Sequence, residues 1–80
     1  MAKYNGYPSW NCWNVCLWID NEYSLYWACY DIAQQYKAKL LNHSEAVEAI
    51  IDTFRHWFGE KTPDGATISK RACKIWLSHQ

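Results

Sequence analysis

SWNCWNVCLWIDNEYSLYW, residues Ser9 to Trp27, decides how this chain folds. Four of the six tryptophans lie in it, Trp10, Trp13, Trp18 and Trp27, beside Cys12, Cys16 and the aliphatic Val15, Leu17, Ile19 and Leu25. A large aromatic side chain buries roughly 150–250 Å². The core of an 80-residue chain must therefore grow around this segment. Ser9 suits an N-cap, its hydroxyl accepting from an orphan backbone N–H. A first helix is expected over about 10–19, stopping at Asp20-Asn21. Asn11, Asn14 and Asn21 make its polar stripe, which Trp18 also joins. Trp10, Trp13, Cys16, Leu17 and Asp20 take the mainly apolar side. Trp18 is then either covered by a neighbouring helix or an exposed aromatic anchor.

Asp20 or Asn21 is expected to cap a second helix over about 22–40, with Glu22 favouring its N-terminal dipole. Leu25, Cys29, Ile32, Ala33, Tyr36 and Leu40 recur at three- and four-residue steps and form its apolar face. Tyr23, Trp27, Tyr30, Gln34 and Lys37 fall on another face. Asn42 followed three residues later by Glu45 has capping-box spacing, Ser44 being the competing cap. The third helix then covers 43–58, with Val47, Ile50, Ile51, Phe54, Trp57 and Phe58 inward and Gly59 closing it. Pro63-Asp64-Gly65 signals a turn. Thr67 or Ser69 caps a last helix over about 68–78, with Ile68, Ala72, Ile75 and Trp76 inward and Lys70, Arg71 and Lys74 outward. Residues 1–8 read as an extended arm in which Tyr4-Asn5-Gly6-Tyr7-Pro8 is turn-prone, Pro8 turning Tyr7 away from helix, with Tyr4 and Tyr7 able to fold back on the core. A short strand at Ala66-Thr67-Ile68 has no evident partner. The expected fold is all-α: one domain of three or four helices around a Trp/Phe/Ile core.

Composition limits what such a domain does. A chain this short buries only about 60% of its unfolded surface, yet 18% of its residues are aromatic. Acidic and basic side chains balance at eight each, so no strong field steers a polyanion. Near-zero charge combined with surplus aromatic area favours self-association or a protein partner. MAKYNGYPSW has neither the apolar run nor the cleavage site of a signal peptide, and no stretch suits a membrane span. Cys12, Cys16, Cys29 and Cys73 accordingly read as buried cytosolic thiols.

Candidate chemistry is sparse. Cys12 and Cys16 lie four apart on one helical face, and Cys29 with His43, His56 or His79 would complete a metal set. Zinc sites, however, draw paired ligands from tight turns, and no second pair exists. Cys12 falls in a first helical turn, but no base is tied to it. No glycine-rich phosphate loop or Ser-His-Asp pattern is present. Neither an enzymatic activity nor a cofactor is expected. Lys70, Arg71 and Lys74, joined by Arg55 and Lys61, offer a basic face to phosphates. The connection before the last helix is too long for the usual helix-turn-helix, so nucleic-acid regulation is the second reading.

Residues 4–26 resemble the opening of a family of short proteins encoded by bacteriophages and mobile elements, whose pattern is roughly Y-N-G-W-x-N-Y-E-T-W-N-V-x-L-W-I-x-N-D-E-x-L-Y. Tyr4-Asn5-Gly6, Trp13-Asn14-Val15, Leu17-Trp18-Ile19, Asn21-Glu22 and Leu25-Tyr26 carry the likeness. Ser9-Trp10-Asn11-Cys12 departs from it, and the later helices match only in general character. The resemblance implies an accessory protein in the cytoplasm of a bacterial host, acting on a host protein or nucleoprotein complex as anti-CRISPR proteins do. In that reading Trp18, Tyr23, Trp27 and Tyr30 supply hot-spot area, and Lys70, Arg71 and Lys74 a second, charged patch. A homodimer through the aromatic face is compatible with it.

Overall fold

The computed structural model describes residues 4–80 and is all-α. Helix α1 spans Trp10–Asn21, α2 Tyr23–Lys37, α3 His43–Phe58 and α4 Lys70–Ser78. The main contacts run α1 to α2, α2 to α3, α3 to α4 and α4 back to α1, closing the four helices around one core. At its centre lie Val15, Ile19, Leu25, Cys29, Ile50, Phe54, Cys73 and Trp76, all essentially inaccessible. The buried tryptophan thus comes from the last helix. From the opening segment the core takes Val15, Cys16, Ile19 and Leu25, while Trp10 and Trp27 stay exposed.

Local chemistry sets where each helix begins and ends. The Ser9 hydroxyl accepts from the Cys12 N–H at 3.2 Å and starts α1. This helix runs on to Asn21, whose side-chain amide donates back to the Leu17 carbonyl at 2.9 Å. Glu22 then breaks the chain with extended backbone and no side-chain cap for α2. Asp20 and Asn21 therefore do not cap the second helix as expected; Asn21 is still helical, and the Asp20 carboxylate accepts from the Trp76 indole at 2.8 Å.

Helix α2 ends at Lys37, short of Leu40, because Lys39 enters the left-handed region at φ 64°. The Leu40 N–H returns to the Gln35 carbonyl and the Lys39 N–H to that of Tyr36, a Schellman closure with lysine where glycine is commoner. Leu40, expected on the apolar face, is thrown outward and exposed. In α3 both capping-box bonds form, the Glu45 N–H to Asn42 at 2.8 Å and the Asn42 N–H to Glu45 at 2.9 Å. Gly59 ends it at φ 75°. Trp57, expected inward, is exposed although it shares the side of Ala46 and Ile50, for it lies in the last turn of α3. Ser69 caps α4 through the Ala72 N–H at 3.1 Å, so Ile68 precedes the helix.

The expected arm over residues 1–8 falls partly on Met1 to Lys3, outside the described residues. From Tyr4 the turn-prone stretch of that arm closes into a tight turn. Tyr4 and Tyr7 exchange both backbone hydrogen bonds, at 2.8 and 2.7 Å. Asn5 and Gly6 both take positive φ, the mark of a type I′ turn and the reason Asn-Gly suits it. The Tyr4 ring lies 4.6 Å from that of Trp13, and Tyr7 meets His79 edge-on at 5.5 Å. The turn is thereby pinned to α1 and to the end of α4.

Candidate functional site

Helix α2 buries Leu25, Cys29, Ile32 and Ala33. Its other side carries Tyr23, Tyr26, Trp27 and Tyr30, at the three- and four-residue steps that bring side chains together on a helix. Trp27 meets Tyr23 at 6.3 Å, Tyr26 at 5.3 Å and Tyr30 at 5.3 Å, each edge to face. Tyr26 stacks with Tyr30 at 6.0 Å and leans on the buried Trp76 at 6.4 Å. Tyr26 therefore roots the cluster in the core. Tyr23, 76% exposed, and Trp27, 48% exposed, stand toward solvent, with Tyr30 half-buried. A packed aromatic group with an open outer surface is the arrangement found at the centre of protein interfaces, where aromatic area binds at little cost in side-chain freedom. Tyr26 is absent from the face that sequence alone assigns to Tyr23, Trp27 and Tyr30. Its position, three after Tyr23 and four before Tyr30, is the signal that places it there.

Trp18 lies apart from this cluster. Its ring packs edge-on against Phe58 at 5.7 Å, and its indole N–H donates to Asp64 at 2.9 Å. Asp64 also accepts from the side-chain amide of Asn14 at 2.9 Å. These bonds, from Asn14 and then Trp18, hold the Asp64 carboxyl below its ordinary value. Asn14 is itself 1% exposed, and its carbonyl accepts from the Thr62 hydroxyl at 2.6 Å. One turn earlier Asn11 brackets Thr67, accepting from its N–H and donating to its carbonyl, both at 2.8 Å. Asn11 and Asn14 of the α1 stripe thus face the connection at 59–69 rather than water, while Asn21 is exposed. That connection closes on itself: the Ala66 N–H reaches the Thr62 hydroxyl, the Thr62 N–H the Ala66 carbonyl and the Ile68 N–H the Glu60 carbonyl. The segment expected to lack a strand partner has a single bridge, Thr67 to Lys61.

Lys70, Arg71 and Lys74 lie together on the exposed side of α4. Lys70 pairs with Glu48 at 3.4 Å, and Arg55 with Glu60 at 2.9 Å. Glu48 also joins Lys70 and Lys74 in lining a small recess against His43 and Ser44. The positive field of this face is therefore partly offset by α3.

All four cysteines are buried and unpaired. Burial, reinforced by Asp20, raises Cys16 and Cys29 from the ordinary 9.0 to about 12, and burial likewise raises Cys73 to about 12. Among the described residues, no three His, Cys, Asp or Glu side chains gather into a metal-binding set. The folded protein is expected to resist thiol reagents at pH 8 and to release four reactive thiols in denaturant. Because these folded values exceed those of the unfolded chain, their contribution to stability is complete below about pH 9 and is lost as pH rises toward 12. Denaturant midpoints across that range check the sign.

The fold and this face define a small all-α protein with a surface aromatic cluster rooted in its core. The chain belongs to DUF7249, a family of unknown function, whose model matches residues 1–77. Comparison with curated proteins and with solved structures gives no match. No helix among the described residues is long and apolar enough to cross a membrane.

Proposed function

We propose that this protein works by docking, through the Tyr23, Trp27 and Tyr30 face of α2, on a host protein or nucleoprotein complex, and that it thereby inhibits a host defence assembly. The observation that carries this reading is the open outer side of an aromatic cluster whose inner side is anchored on Trp76. Rings held in place by Tyr26 lose little freedom on binding, which is what makes a tryptophan or tyrosine a strong anchor. The phage and mobile-element setting, in the cytoplasm of a bacterial host, rests on the resemblance of residues 4–26 and on the anti-CRISPR manner of action it suggests. Trp18, which the sequence also offers as an anchor, is held by Asp64 and Phe58 and lies outside this face.

The reading is tested by capture from a bacterial lysate. Trp27→Ala combined with Tyr30→Ala is expected to weaken capture at least about tenfold while helicity by circular dichroism is kept. Undiminished capture by the double variant would remove the proposal. The second reading, a nucleic-acid regulator, has in its favour the adjacent cations Lys70, Arg71 and Lys74. Its mark would be a salt-dependent gel shift of labelled DNA, lost in Lys70→Glu with Lys74→Glu.

A further inference from the structure

Charge along the chain is segregated in a way that its neutral total hides. From Tyr4 to Tyr36 the charged side chains are Asp20, Glu22 and Asp31, all acidic. Glu22 and Asp31 flank the aromatic run of α2 along the chain, and Asp20 reaches it through Trp76. Glu22 immediately precedes Tyr23 and lies one turn before Tyr26. Asp31, exposed, lies one turn after Trp27 on the same side. Asp20, also exposed, holds the indole of Trp76, on which Tyr26 rests. The first cation on α2 is Lys37, in its last turn, and α1 beside it has neither lysine nor arginine.

We infer that this face takes a cationic, arginine-bearing segment of a partner polypeptide, seated over Tyr23 and Trp27 between Glu22 and Asp31. The faces of indole and phenol rings attract guanidinium and ammonium groups, and a carboxylate at either end of the cluster adds charge-assisted hydrogen bonds. The same carboxylates repel phosphates, so a nucleic acid does not suit this surface. A second copy of the chain would have to present its own Lys70, Arg71 and Lys74, giving a head-to-tail contact. The inference rests on the docking reading above and specifies the chemistry of what docks.

The probe is an arginine-rich peptide of about nine residues, with matched peptides carrying glutamate in place of arginine and a single-stranded oligonucleotide as controls. Binding is read from the indole N–H resonance of Trp27, assigned with Trp27→Phe. The arginine peptide is expected to shift that resonance and the glutamate peptide to leave it in place. Glu22→Gln with Asp31→Asn should weaken binding about three- to tenfold at low salt, and Trp27→Ala about tenfold. Three results would each overturn the inference: equal binding of the glutamate peptide or oligonucleotide, arginine-peptide affinity unchanged in the carboxamide variant, or a concentration-dependent dimer that Trp27→Ala dissolves. Lysate capture, read separately, keeps the two claims apart. Capture lost in Trp27→Ala/Tyr30→Ala without any arginine-peptide binding rejects the cationic occupant alone, whereas capture retained rejects the docking face as well.

Discussion

Trp76→Ala is expected to cost about 3–5 kcal/mol, the range for removing a fully buried aromatic side chain. Trp76 is the largest inaccessible side chain in the protein and comes from the shortest helix. Its loss opens a cavity where α4 meets α1 and withdraws the support of Tyr26. It also frees the Asp20 carboxylate, which water can then solvate because Asp20 is exposed. A chain of this length has roughly 4–12 kcal/mol of stability in total, so the variant should give up a large share of it and melt at least about 10 °C below the parent. Trp76→Phe keeps most of the apolar area and loses the indole N–H, and should cost about 1–2 kcal/mol. Urea denaturation followed by circular dichroism separates the two. A loss below about 1 kcal/mol for Trp76→Ala would mean that the helix does not pack as described.

Asn14→Ala is expected to cost about 2–3 kcal/mol, although it deletes no apolar group. The reason is that Asn14 is buried and bonded on both sides, to the Thr62 hydroxyl and the Asp64 carboxylate. Without it the hydroxyl hydrogen of Thr62, itself buried, has lost its acceptor, and the side-chain hydrogen bonds from α1 to the connection at 59–69 are reduced to those of Asn11 and Trp18. Thr62→Val should be costly for the complementary reason: the Ala66 N–H loses its acceptor and the Asn14 carbonyl its donor. The two substitutions together should cost less than their sum, with a coupling of at least about 1 kcal/mol in a double-mutant cycle. Simple additivity would show that the two side chains do not act as one unit.

How far the fold was legible in the sequence depends on whether the deciding chemistry was local. Ser9, the Asn42–Glu45 box and Gly59 act on their own helix ends, and periodicity with capping rules placed them. The polar face of α1 was not legible. Asn11 and Asn14 look like a solvated stripe, and only the fold brings Thr62, Asp64 and Thr67, about fifty residues away, to meet them. The end of α2 was missed because lysine, not glycine, takes the left-handed position. At the aromatic face, Tyr23, Trp27 and Tyr30 were readable from their spacing. The role of Tyr26 needed the knowledge that Trp76 lies behind it.

In the docking proposal the α2 rings are held from within by Tyr26 and Trp76 and used from without. Photo-crosslinking in a bacterial lysate tests it most directly, with p-benzoylphenylalanine placed at position 27 and, as control, at the exposed position 52 on α3. A discrete protein adduct is expected from position 27 and none from position 52. An adduct from position 52 alone, or no adduct from position 27 while the basic face at position 74 gives one, would contradict it.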